Sequence, residues 1–423
     1  MNKIKITPKK LKGEVNIPPS KSMAHRAIIC ASLSRGTSII DNVDFSEDMI
    51  ATINAMKALG ADIKIEENKL IINGENTFSL KNIVIDCNES GSTLRFLVPL
   101  SISRKNKINF IGKGNLGKRP LNTYYNILNE KGIKYSYKKN ILDFNIDGEL
   151  KGGEFKVEGN ISSQFISGLL FALPLLKEDS KIIITTNLES KGYIDLTLSM
   201  IEKFGIKVEN KNLEYKEFII KGNQQYKPFN YRVEGDYSQA AFYLCADALG
   251  NDIVCKDLNL NSLQGDKECI DILKRMGGVV EEHKGIKIIA KNTEGTIIDA
   301  SQCPDVIPVL TVVAALSTGE TKIINGERLR IKECDRLNAI CIELNKLGAN
   351  IKELKDGLII NGVKSLNGAN ISSHNDHRIA MSIAIASTLC KGDITLENPE
   401  CVKKSYPSFW EDFKSIGGKF IEI

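Results

Sequence analysis

The 423-residue chain has no stretch of eighteen apolar residues, no cysteine pair at CxxC spacing and no large excess of charge of either sign. Each absence excludes a class of protein. Without a long apolar run the chain carries no membrane-spanning helix. Its first residues, MNKIKITPKKLKGEV, alternate and carry charge, unlike the apolar core and cleavage site of a signal peptide. The ten cysteines are scattered singly, and Cys30, Cys245 and Cys390 lie in apolar runs where a reduced thiol acts as a small core residue. That usage predicts a cytoplasmic protein with neither zinc site nor disulfide framework. With 57 basic against 52 acidic residues, a net +5, nothing announces a nucleic-acid partner, so any anion site must arise from local clustering.

What is present is a repeat. Six segments share a β-like residue, a short polar loop and an apolar helix. They read IPPSKSMAHRAII from Ile17, IDCNESGSTLRFL from Ile85, VEGNISSQFISGL from Val157, VEGDYSQAAFYL from Val233, IDASQCPDVIPVL from Ile298 and ISSHNDHRIAMSI from Ile371. A second strand follows each, then a helix stopping near a glycine, as in DMIATINAMKALGA and CIDILKRMGG. A hairpin such as ADIKIEENKLIING closes the unit, making it roughly β-α-β-α-β-β. The sixth unit ends early, at GGKFIEI, and the N-terminal KIKITP has the composition to supply its missing hairpin partner. The fold class expected is therefore α/β, with two globular domains of three units each. Residues 13–228 form one, and residues 1–12 with 229–423 the other. A solenoid is the plainer reading of a repeat, but solenoid units are commonly about 20–50 residues and these are longer. Here the strand-to-helix loops vary, and such loops are where binding and catalytic groups collect.

The loops are rich in anion-binding chemistry. PSKSMAHR opens a helix with Lys21, Ser22 and Arg26, the last two on one helical face. NESGSTLRFL offers Gly91 for close backbone approach, and GKGNLGKRPL adds Arg119. NISSQF contributes the neutral set Ser162, Ser163 and Gln164, and LESKGYIDL adds Ser190 and Tyr193. CPDVIP carries Asp305; ERLRIKECDRL carries Arg330, Lys332, Glu333 and Arg336; SHNDHRIAM carries His374, His377 and Arg378; CVKKSYPSF carries Lys403 and Lys404. Taken singly, each has a bland reading: an N-cap for Asp305, a surface helix with i,i+4 charges for Lys332 and Arg336, solvated cations elsewhere. Two loop histidines with no nearby cysteine pair are too few for a zinc site. Taken together, many cations from both halves with Asp305 and Glu333 among them predict a cleft for small, strongly anionic substrates, with acid–base chemistry between them.

PSKSMAHR, SGSTLRFL, KRPL, SSQF, SKGYIDLT, VEGDYSQA, SLQGD, RIKECDRL, NDHRIAM and CVKKSYP, in this order, resemble the 3-phosphoshikimate 1-carboxyvinyltransferase family along essentially the whole chain. The resemblance implies an inside-out α/β arrangement and transfer of the enolpyruvyl group of phosphoenolpyruvate to 3-phosphoshikimate by a monomer without metal or organic cofactor. It assigns Lys21, Ser22, Arg26, Ser162, Ser163, Gln164, Ser190, Asp305 and Lys332 to 3-phosphoshikimate. Lys21, Gly91, Arg119, Gln164, Arg336, Arg378 and Lys404 fall to phosphoenolpyruvate. Asp305 and Glu333 are its proton-transfer residues, with Lys21 beside them. The chain departs from the family's usual residues at Glu89, Phe96 and Arg328, and these receive no role. Two rivals are a UDP-N-acetylglucosamine enolpyruvyl transferase and a non-catalytic anion- or RNA-binding relative. The first typically carries a cysteine shortly before the Arg-Pro pair, and GKGNLGKRP has none. The intact Asp305 and Glu333 oppose the second.

Overall fold

A computed structural model describes residues 3–423. Those residues resolve the repeat into six four-stranded sheets, each with two parallel strands side by side and an antiparallel pair completing it. Ile83–Asp86 runs parallel to Asn106–Ile111, which pairs with Asp143–Gly148, which in turn pairs with Lys134–Tyr137. Side chains alternate along these strands: in Asn106–Ile111, Asn106, Ile108 and Phe110 are buried while Lys107 is exposed. One sheet face therefore packs on a core and the other meets solvent.

The chain splits into two compact units. One runs up to Ser20 and resumes from Glu234 to Ile423; the other is Lys21–Val233. Each has its own core of buried residues. The helices after the polar loops form their centres. Lys21–Leu33, Gly91–Ser101 and Ser163–Ala172 serve one unit, and Tyr237–Ala248, Ile307–Leu316 and His377–Ser387 the other. They are buried on nearly every side, as befits sequences such as IPVLTVVAAL that lack a polar face. A helix of this kind cannot sit at a surface, so the sheets wrap outside it.

The divisions fall after Ser20 and after Val233, not at residues 13 and 229 as expected, because two strands change company. Lys12–Asn16 pairs in parallel with Asp252–Lys256, with Val15 opposite Cys255. Tyr231–Arg232 pairs with Ile40 and Asp41 of the strand Thr37–Asp41. The lead strands of units one and four are thus exchanged, and residues 13–20 and 229–233 follow their hydrogen bonds. Lys3–Thr7 lies between Ile394–Glu397 and Lys419–Glu422, completing the sixth sheet. Among the described residues no helix is long and apolar enough to cross a membrane.

Candidate active site

Within Lys21–Val233 the first three polar loops converge. Lys21 opens its helix with the ammonium 2.9 Å from Asp48 Oδ2. Arg26 is buried. Its Nε donates to Thr197 Oγ1 (2.8 Å), its Nη1 to the Ser22 carbonyl (2.7 Å) and its Nη2 to the Tyr193 carbonyl (2.9 Å). Phe96 lies under this guanidinium at 5.0 Å from the ring centre, which gives that departure from the family's pattern a packing role. Burial pushes Arg26 down to about 10, so it remains a cation at neutral pH.

Gln164 is clamped by its neighbours. Its Oε1 accepts from Arg95 Nη1 (2.9 Å) and its Nε2 donates to Ser92 Oγ (2.8 Å). Ser162 caps the helix by accepting from the Gln164 N–H (3.3 Å), Ser163 is buried in its first turn, and Ser190 holds a left-handed backbone (φ 55°) just before Lys191–Lys203. A left-handed serine is uncommon away from turns and functional loops. Gly91 lies at a close approach: a Cβ there would sit 2.8 Å from Arg119 Nη1 and 3.3 Å from Arg95 Nη1, so the Arg119 tip would have to move. Glu89 lies against Gly114, whose positive φ (57°) and lack of a side chain make room for the carboxylate.

His25, next to Arg26 on the helix Lys21–Leu33, was not singled out by sequence and is fully enclosed, its Nδ1 2.7 Å from Thr52 Oγ1. Burial, opposed by Asp48 and reinforced by Lys21 and Arg26, pushes it down to about 3. The unfolded chain takes up this proton near pH 6.5 while the folded chain does not. Its contribution to stability is therefore complete above pH 6.5 and falls by up to about 1.4 kcal/mol per pH unit between 6.5 and about 3. Thermal melts across that window should show a steeper acid loss for the parent than for His25→Asn. Parallel curves would remove His25 from the acid response.

In the other unit, the loops carrying Asp305, Glu333 and Asp376 meet around Arg336, which is 2% exposed. Its Nη1 donates to Asp305 Oδ1, its Nη2 to Glu333 Oε2 and its Nε to Asp376 Oδ2, each at 2.8 Å; Nη2 also reaches Asp376 Oδ1 at 3.3 Å. Lys332 donates to the same Asp305 oxygen at 3.1 Å. Burial opposes the Asp305 charge, but Lys332, Arg336 and Arg378 overcome it and hold the carboxyl well below its usual range. Burial pulls Lys332 down, with Asp305 opposing. Both bland readings fail. Asp305 stands one residue before the cap position, Val306, with its carboxylate on Lys332 and Arg336, and Arg336 is no surface charge.

Arg378 is 3% exposed and bonded to Ser238, and Lys404 is buried nearby in sequence to Ser405, which accepts from Gln239 Nε2 (3.1 Å to its carbonyl). Arg330 is turned to Glu353 and Asp335 instead (2.7 and 2.8 Å). His374 Nε2 is 2.8 Å from Glu343 Oε1. Among the described residues no group of three or more His, Cys, Asp or Glu side chains is placed to hold a metal ion. Sequence reasoning missed Asp48, Asp376, Ser238 and the clamping by Arg95. Asp376, inside NDHR, also caps its helix by accepting from the Arg378 N–H (2.8 Å), and the cap disguises the ion pair.

Six β-α-β-α-β-β units in two compact bodies, each with cation-bearing loops at the starts of buried helices, make a fold shared with known enolpyruvyl transferases. The enolpyruvyl transferase NikO from Streptomyces tendae matches 100% of this chain and 99% of its own with a TM-score of 0.79, at 14% identity, a likeness of fold alone. An EPSP synthase from Acinetobacter baumannii matches 100% of both chains with a TM-score of 0.83 and 27% identity. The family model of EPSP synthase (3-phosphoshikimate 1-carboxyvinyltransferase) matches residues 6–413. The chain is 72% identical to a 3-phosphoshikimate 1-carboxyvinyltransferase of Clostridium perfringens, over 99% of each chain, and 61% identical to that of Clostridioides difficile, over 100% of this chain and 99% of the other. The chain belongs to the EPSP synthase family.

Proposed function

We propose that the protein transfers the enolpyruvyl group of phosphoenolpyruvate to the 5-hydroxyl of 3-phosphoshikimate and releases phosphate. The hydroxyl loses its proton as it attacks C2, and C3 gains a proton, giving a tetrahedral phospho-ketal. Phosphate then leaves while C3 returns a proton, restoring the double bond. This sequence calls for a group to receive the hydroxyl proton, an acid–base near the methylene and cations around the departing phosphate. It balances without a redox change or a covalent link to the enzyme.

One observation carries the reading: a single buried guanidinium, Arg336, anchored on Asp376, also binds Asp305 and Glu333, while Lys332 shares the Asp305 oxygen. Two acids are thereby held amid cations, as acid–base chemistry on a polyanion requires. Asp305 takes the hydroxyl, as a strong hydrogen-bond acceptor and weak base, and Glu333 exchanges the methylene proton. Ser22, Ser162, Ser163, Gln164 and Ser190, with Lys21, Arg26 and Lys332, serve 3-phosphoshikimate. Lys21, Gly91, Arg119, Gln164, Arg336, Arg378 and Lys404 serve phosphoenolpyruvate. Arg26 and Arg336 contribute chiefly by fixing their surroundings, since each already has at least three donors engaged by the protein. The same reading has the protein act as a cytoplasmic monomer on small molecules, with neither nucleic acid nor membrane as partner; the near balance of basic and acidic residues speaks against a nucleic-acid partner.

Phosphate release from phosphoenolpyruvate should require 3-phosphoshikimate as acceptor and persist in EDTA. Release only with UDP-N-acetylglucosamine, or only with added metal, would overturn the assignment. In the same assay Arg119→Ala should raise the KM for phosphoenolpyruvate by the worth of a charged hydrogen bond, about 1.5–3 kcal/mol. Arg119→Lys should recover only part, lacking the fork. An unchanged KM in Arg119→Ala would take Arg119 out of the site.

A further inference from the structure

We infer that Ser238 is a positioning residue: it holds Arg378 by one edge of the guanidinium and so presents the other edge to the anion. The inference rests on the assignment of Arg378 to phosphoenolpyruvate above. Ser238 lies in the first turn of Tyr237–Ala248, a helix capped by Asp236, whose Oδ1 accepts from the Ser238 N–H (2.8 Å), the Gln239 N–H (3.3 Å) and the Ser238 hydroxyl (2.5 Å). With its hydrogen given to Asp236, the hydroxyl has only lone pairs to offer Arg378. It accepts from Nη2 at 2.7 Å, while the Ser238 carbonyl accepts from Nη1 at 2.5 Å. One residue thus takes both terminal nitrogens, the end-on edge of the fork. Phe242, one turn further along the same helix, lies 5.8 Å from the guanidinium carbon and covers its face.

The side-on edge is left. Arg378 Nε is buried and has no hydrogen-bond partner among the described residues. A buried cationic N–H without an acceptor is costly, and Nε with the second hydrogen of Nη2 forms the parallel pair that suits a carboxylate or a phosphate. Were Ser238 absent, the guanidinium could turn about its long side chain, and this edge would no longer be fixed. The sequence motif gives no hint of this, because a serine after a capping aspartate reads as ordinary helix-start chemistry.

The test is a double-mutant cycle on the full-length protein. Ser238→Ala should raise the KM for phosphoenolpyruvate about tenfold, change kcat by less than about threefold, and leave the KM for 3-phosphoshikimate unaltered. Ser238→Thr, which keeps the hydroxyl, should restore most of the loss. In an Arg378→Ala background, Ser238→Ala should have no further effect on the phosphoenolpyruvate KM, because the group it positions is gone. KM does not depend on the fraction of folded enzyme, so a poorly folding variant still reports. An unchanged KM in Ser238→Ala, or the same rise with Arg378 already removed, would overturn the inference. Should the parent show no turnover, the reaction assigned above fails on its own. The cycle is then read from affinity for inorganic phosphate by calorimetry, with the same two outcomes.

Discussion

Asp305→Asn should lower kcat by about 10²–10⁴-fold, the usual worth of a general acid–base group, while the KM for phosphoenolpyruvate stays within a few-fold of the parent. The asparagine keeps the shape of the side chain and an acceptor for Lys332 and Arg336, which meet the same Asp305 oxygen at 3.1 and 2.8 Å. What it removes is the negative charge that these cations hold in place and with it the ability to draw the proton from the attacking hydroxyl. Loss of a hydrogen bond to that hydroxyl should also weaken 3-phosphoshikimate binding. Glu333→Gln should divide the effect differently. Both substrates should bind, but solvent deuterium should enter the methylene carbon more slowly, because Glu333 is the group assigned to that proton. Rapid quench in D2O separates the two variants. Equal deuterium entry in Glu333→Gln and parent would move the proton to Lys21 or Lys404. Parent-like kcat in Asp305→Asn would end the role given to Asp305.

Arg336→Ala should be the most destabilising substitution in its unit, lowering the stability of that unit by about 3–5 kcal/mol. The guanidinium is 2% exposed and pairs with Asp305, Glu333 and Asp376 at once. Asp376 has no exposed surface at all. Removing the cation leaves Asp305 with Lys332 but takes the guanidinium from Glu333 and from the fully buried Asp376, and breaking a buried pair by removing one partner is strongly destabilising. Arg336→Lys should recover only part, since one ammonium cannot reproduce three nitrogens aimed at three acceptors. Urea unfolding followed by far-UV circular dichroism is the check, with the two units allowed separate transitions. A loss below about 1 kcal/mol in Arg336→Ala would mean that the carboxylates take up protons or rearrange at little cost.

Much of the architecture was legible because the repeat writes the same local signals six times. A loop of small residues before a uniformly apolar helix, as at IDASQCPDVIPVL, already places that helix inside and its loop at an end. The exchange of lead strands was not legible. Lys12–Asn16 pairs with a strand some 240 residues away, and the alternation of a strand does not name its parallel neighbour. At the candidate site, clustering of cations pointed to particular loops but could not sort their duties. Arg26 and Arg119 look alike in sequence, yet Arg26 has two backbone carbonyls and Thr197 as acceptors, whereas Arg119 stands over Gly91. Asp376 and Ser238 stayed hidden for one reason: each does the ordinary work of a helix start, and only distance reveals the arginine that each also holds.

The most direct test of the account is the fate of the oxygen that bridges carbon and phosphorus in phosphoenolpyruvate. Carboxyvinyl transfer breaks the bond from C2 to that oxygen, so substrate labelled there with ¹⁸O should yield labelled inorganic phosphate and an unlabelled enolpyruvyl ether of 3-phosphoshikimate. Label retained in pyruvate, with a second phosphate on the acceptor, would mean cleavage between phosphorus and oxygen and would contradict the account.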